Sequence, residues 1–165
     1  MSIVTVGDSA PRIKEKAFPT NLAIVVPSET QTPTLLVFVG YQTATKIEGV
    51  VSNIRRIIPN PESLLIINVV GLKNVPRLMK GTAKKIIQAS YDQAAKQIPE
   101  GHDPATQLIL LTDWKGKIMK AYGVGDVSEH LALIMIDENG RISHRYQGPE
   151  PVTEAMEMVM PLIRK

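Results

Sequence analysis

Apolar residues follow two rhythms along this chain. Runs with at most one polar residue each, at 22–26 (LAIVV), 34–39 (TLLVFV), 64–70 (LLIINVV), 107–111 (QLILL) and 131–136 (LALIMI), have the length of strands. Apolar runs without alternation predict strands covered on both faces. The polar segment PSETQTP, with a proline at each end, joins the first two as a loop. The second rhythm is helical. Ile47, Val50, Val51, Ile54, Ile57 and Ile58 fall on one face of a helix over 45–58, which Pro59 stops. Thr43 or Thr45 fits its N-cap, and Glu48 three residues after Thr45 completes a capping box.

A longer helix is predicted over 75–98, with Pro76 in its first turn and Val75, Met79, Ile86, Ile87, Ala94, Ala95 and Ile98 inward. Its other positions hold Arg77, Lys80, Lys84, Lys85, Asp92 and Lys96. The segment 113–116 (DWKG) turns the chain into a short helix ending near Gly123, and 131–147 reads as a hairpin turning at 137–140 (DENG). The last helix follows Pro151, with Val152, Ala155, Met156, Val159, Met160 and Ile163 inward and Pro161 expected to kink or end it. Residues 1–20 show no period and read as an irregular lead-in. The first strand–helix–strand is a parallel unit.

Composition narrows the chemistry. The chain has 165 residues, 44% hydrophobic and 21% charged, the mix of an ordinary globular protein, and one domain over 1–165 is expected. Its apolar runs are far shorter than a membrane span, and the N-terminus lacks a signal-peptide pattern, so a cytoplasmic protein is expected. There is no cysteine. Disulfides, thiolate metal sites and cysteine nucleophiles are therefore excluded for these residues. A net charge of +3 and strands without interleaved aromatics do not suggest nucleic-acid binding.

The element order resembles the thioredoxin-like superfamily, and within it the redoxin branch that includes peroxiredoxins. The resemblance is carried by VGDSAPRI (Gly7, Ala10, Pro11), by TLLVFVGY, by Ala121-Tyr122-Gly123-Val124 and by LALIMIDENGRI. It implies an α/β three-layer sandwich: a central mixed sheet flanked by helices, with an inserted helix and an N-terminal strand extension. In that family the strand at 34–39 leads into a redox-active cysteine or Cys-x-x-Cys. Here the segment is Tyr41-Gln42-Thr43-Ala44-Thr45-Lys46, and the two cysteines map to Gln42 and Thr45, or to Thr43 and Lys46. A threonine hydroxyl neither ionises near neutral pH nor forms S–S bonds. The family's cis-proline before the strand at 131–136 is also missing: 125–130 is GDVSEH, and a trans bond is expected there.

The resemblance thus implies a redox-inactive module that binds or scaffolds. Its candidate surface comprises Tyr41, Gln42, Thr43, Thr45, Lys46, His130 and Trp114, facing an unknown protein or a small anionic ligand, since helix N-termini attract anions. The plainer reading, and the favoured one, makes Thr43 and Thr45 caps and Trp114 an aromatic plug over the core. The basic helix suits an acidic partner or a membrane surface, and a solvated helix face accounts for it too. A second reading is an enzyme with non-thiol chemistry built from Tyr41, Thr43, His130 and Asp126 or Asp113. A third is a cofactor protein with His or Met ligands. His130 and His144 belong to different elements without ligand spacing, so no metal and no cofactor is expected. A homodimer stays open.

Overall fold

In the computed structural model, residues 4–163 are described; the first three residues of the lead-in lie outside them. The elements in order are β1 (Ile13–Lys16), β2 (Ala23–Val26), β3 (Thr34–Gly40), α1 (Ile47–Ile57), β4 (Leu65–Gly71), α2 (Lys80–Ala95), α3 (Pro104–Gln107), β5 (Ile109–Asp113), α4 (Lys117–Ala121), β6 (Ala132–Ile136), β7 (Ile142–Gln147) and α5 (Pro151–Ile163). Five strands form one mixed sheet in the order β5-β4-β3-β6-β7. β3, β4 and β5 run parallel, and β6 and β7 are antiparallel to their neighbours. β1 and β2 form a separate antiparallel pair.

Burial explains the topology. Every residue of β3 is buried, as the unbroken apolar run requires, because both faces of the sheet are covered. On one face Leu35, Val37 and Val39 meet Val50, Ile54, Ile87, Ala155 and Val159 from α1, α2 and α5. On the other, Leu36, Phe38, Ile67 and Val69 meet Ile118 of α4, Ile13 of β1 and Val26 of β2. This is a three-layer α/β sandwich with a mixed sheet.

Several expectations are corrected. The lead-in is not wholly irregular, since Ile13–Lys16 pairs with Ala23–Val26. Only Ile13 of β1 is buried, which left no apolar run to read. The helix expected from Val75 starts later: Pro76 has an extended ψ of 145°, Arg77–Met79 is a single 3-10 turn, and α2 begins at Lys80. Its inner face is Ala83, Ile87, Tyr91 and Ala94, so Met79 and Ile86 are exposed. Gln107 is not in the strand: Asp103 caps the short helix α3, and Gln107 ends it, donating to the carbonyl of Pro59 (2.6 Å). Pro161 does not end the last helix, because α5 runs through to Ile163. In a last turn the missing N–H costs one bond, to a carbonyl on exposed Glu157. Met158 is buried in place of Ile163, which lines an open depression with Ile57.

Candidate functional site

The three parallel strands end flush. Gly40, Gly71 and Asp113 are register partners across β3, β4 and β5, so the segments beginning at Tyr41, Leu72 and Trp114 emerge side by side. This C-terminal edge is where parallel sheets hold their ligands.

At its centre, segment 41–46 packs against the loop before β6. The buried Thr43 hydroxyl accepts from the Gly40 N–H (2.9 Å), and its own hydrogen faces the Val127 carbonyl at 2.9 Å and that of Gly40 at 3.3 Å. Lys46 donates to the Glu129 carbonyl (3.0 Å). Gln147 of β7 clasps the same loop, donating to the carbonyls of Asp126 (2.7 Å) and His130 (3.0 Å). Within the loop, Ser128 binds Asp126 through its backbone N–H and then its hydroxyl, holding that carboxyl below the usual range. The cis peptide bonds among the described residues are at Phe18–Pro19 and Val26–Pro27, so 125–131 is trans throughout, as expected.

The capping expectations are overturned. Thr43 precedes a 3-10 turn (Ala44–Lys46) but makes no side-chain cap, and α1 starts after Lys46, also without one. Thr45 is exposed and forms no capping box with Glu48. The Thr43 hydroxyl instead ties together segments 84 residues apart, which no local pattern could reveal. Gln42, Lys46 and His130 are exposed, whereas Tyr41 is half-buried against the helical core. No hydrogen bond joins Tyr41, Thr43, Asp113, Asp126 and His130 to one another; the Asp113 carboxylate accepts from the Met119 N–H (2.9 Å) and organises the start of α4. Among the described residues no group of three His, Asp or Glu side chains is placed to hold a metal.

Trp114 lies apart from Thr43 and His130, at the outer strand of the parallel set. It is half-buried against the helical core, and the ammonium groups of Lys80 and Lys84 sit 5.6 and 5.7 Å from its ring. These cations open a larger feature. Segments 72–91 and 114–125 carry eight basic residues and no acidic one: Lys73, Arg77, Lys80, Lys84, Lys85, Lys115, Lys117 and Lys120. All eight are exposed, and the ion pair found among the described residues, Arg12–Glu29, lies elsewhere. Leu78 is 96% exposed in their midst and Met79 49%. The helix spacing identifies only its own share of this surface. Lys73 joins it through tertiary structure, packed beside Gly116, the glycine that Lys115 and Lys117 flank in the chain.

No protein-family profile and no curated protein matches the chain. Solved structures do. A candidate thiol:disulfide interchange protein DsbE from Chlorobium tepidum is 16% identical, with a TM-score of 0.66 over 97% of this chain and 99% of that one. DsbF of MTB, solved in mixed oxidized and reduced forms, is 16% identical with a TM-score of 0.64, covering 96% and 99%. StoA from Bacillus subtilis is 17% identical with a TM-score of 0.60, covering 90% and 96%. At such identities the likeness is one of architecture, and with the sheet order above it establishes that this cysteine-free chain has a thioredoxin-like fold.

Proposed function

We propose that the chain is a redox-inactive thioredoxin-like binding module that docks an acidic protein partner on the basic side of its C-terminal strand edge. The observation that carries this reading is the eight exposed bases without a single acid, surrounding the exposed Leu78 and Met79. Like charges gathered along one edge of the sheet repel one another, and an acidic surface relieves that repulsion while steering the encounter. Leu78 adds an apolar anchor of the kind that dominates interface energetics when it fills a pocket. Thiol chemistry is closed to these residues for want of a thiol. Of the two positions onto which the first cysteine maps, Gln42 and Thr43, Thr43 is spent on structure, accepting from the Gly40 N–H and donating to the Val127 carbonyl.

The test places a photocrosslinking residue at Leu78 and irradiates intact cells of the source. A discrete acidic protein is expected, with its yield lost in a Lys80→Glu/Lys84→Glu double variant. The purified pair should dissociate as salt rises, since exposed charges are screened within a Debye length of about 8 Å at 0.15 M. Crosslinks insensitive to the charge reversal would overturn the proposal. So would capture by phosphatidylserine vesicles with no protein partner, which would reassign the surface to a membrane.

A further inference from the structure

Arg55 is the one buried basic side chain among the described residues, 7% exposed in the last turn of α1. Its Nη1 donates to the carbonyls of Leu64 (2.8 Å) and Ile58 (3.3 Å). Among the described residues its Nε and Nη2 have no partner and no carboxylate pairs with it. Burial lowers its pKa to about 10, which still leaves it charged at neutral pH. A buried cation with two idle donors is unfavourable unless something meets it.

The idle pair is specific in shape. Nε–H and the Nη2–H beside it point in the same direction, and that edge of a guanidinium matches the two oxygens of one carboxylate. Arg55 also lines a cavity of about 260 Å³ between α1 and the C-terminal end of α2. Val51, Ala94 and Ile98 give the cavity an apolar wall, and Ser52, Arg56 and Gln97 a polar margin. The volume is near the lower end for small-molecule sites, which start at about 300 Å³. Glu48 lines the same cavity, and the α1 C-terminus adds partial negative charge. Both disfavour a doubly charged anion such as phosphate.

We propose that this cavity binds a small monocarboxylate with an apolar tail, its carboxylate paired side-on with Nε and Nη2 of Arg55 and its tail against Val51, Ala94 and Ile98. Both nitrogens lie beneath the surface, so the ligand reaches them as the cavity lining opens, a lining in which Gln97 is exposed and Ile98 half-buried. Nothing in this site depends on the basic edge, which is built from other segments.

Phenylacetate is the probe, titrated into the ¹⁵N-labelled chain and followed at the Arg55 Nε–H and at the amides of Val51, Ala94 and Ile98. Saturable shifts at all four are expected, with slowed exchange of the Nε proton. Phenethyl alcohol, of similar shape but uncharged, should bind at least tenfold more weakly, and inorganic phosphate should not compete. Arg55→Met should abolish binding. Ile98→Trp, which fills the cavity and leaves the guanidinium intact, should do the same. Three results would overturn the proposal: no saturable shift, equal binding of the alcohol, or an Arg55 Nε signal in the free protein that moves on Glu48→Gln, which would make Glu48 its partner in solution.

Discussion

Thr43 and Arg55 are both buried polar side chains at the edge of one helical layer, and they are treated in opposite ways. The Thr43 hydroxyl uses its lone pair and its hydrogen, linking the end of β3 to the loop that enters β6. The Arg55 guanidinium satisfies two carbonyls with one nitrogen and leaves an entire edge idle. A saturated group holds a fold together and has nothing left for a ligand. An unsaturated one weakens the fold where it sits and retains the capacity to recognise something. Thr43 is thus a fastener, while the unspent chemistry lies 12 residues further along the chain.

That contrast is broken most directly at Thr43. Thr43→Val keeps the shape and removes both hydrogen bonds, and unpaired buried groups cost about 1–3 kcal/mol each. Urea denaturation should show a loss of about 2–4 kcal/mol, with faster amide exchange at Gly40. Thr43→Ser keeps the hydroxyl and drops a methyl, so it should lose about 1 kcal/mol. A loss as large as that of Val would mean that packing, not the hydroxyl, fastens the loop.

Tyr122 offers a second saturated case, since its hydroxyl donates to the Pro11 carbonyl (2.6 Å). Tyr122→Phe should cost about 1 kcal/mol at pH 7. Burial raises its folded pKa above the ordinary 10, so its contribution is complete below pH 10 and is lost as pH rises beyond it. The wild type should therefore lose stability above pH 10 more steeply than the Phe variant.

Arg55 has the opposite sign. Burial holds its folded pKa at about 10, below the ordinary guanidinium value, so above pH 10 the unfolded chain holds more protons and this group's contribution rises with pH. Arg55→Met removes both the buried charge and the hydrogen bonds of Nη1, and should change stability at pH 7 by less than about 1 kcal/mol. A loss as large as that of Thr43→Val would show that the guanidinium is satisfied in solution and would erase the comparison. The smallest effect belongs to Lys46→Met, which removes one exposed hydrogen bond to the Glu129 carbonyl and should stay within about 0.5 kcal/mol by thermal melting.

The sheet was legible because its central strands are buried on both faces, and continuous apolar runs say so without help from partners. β3, β4 and β6 all read this way. β1 was not, because three of its four residues face solvent. Helix α1 was legible in outline and misread at one edge. Ile57 is 38% exposed, and Arg55, four residues after Val51, is buried in its stead. The i+4 spacing was available as a signal, but charge argued against using it. The phase of α2 was lost because Pro76 remains extended and the helix begins four residues later, turning Met79 and Ile86 outward. The bond from Thr43 to Val127, the packing of Lys73 beside Gly116 and the approach of Lys80 and Lys84 to Trp114 are tertiary facts, invisible to any periodicity. The sequence did show that the segment after β3 holds no thiol, which the likeness to thiol-disulfide proteins would by itself have obscured.

The eight bases at the strand edge leave the rest of the chain with 11 basic residues against 16 acidic. A formal charge of +3 therefore combines a local excess of +8 with a balance of 11 − 16 = −5 over the rest. Such a particle orients in the field of an oppositely charged surface before it touches it, so its first collision is already biased toward one end. On a cation-exchange resin it should be retained longer than its net charge suggests, and by that end.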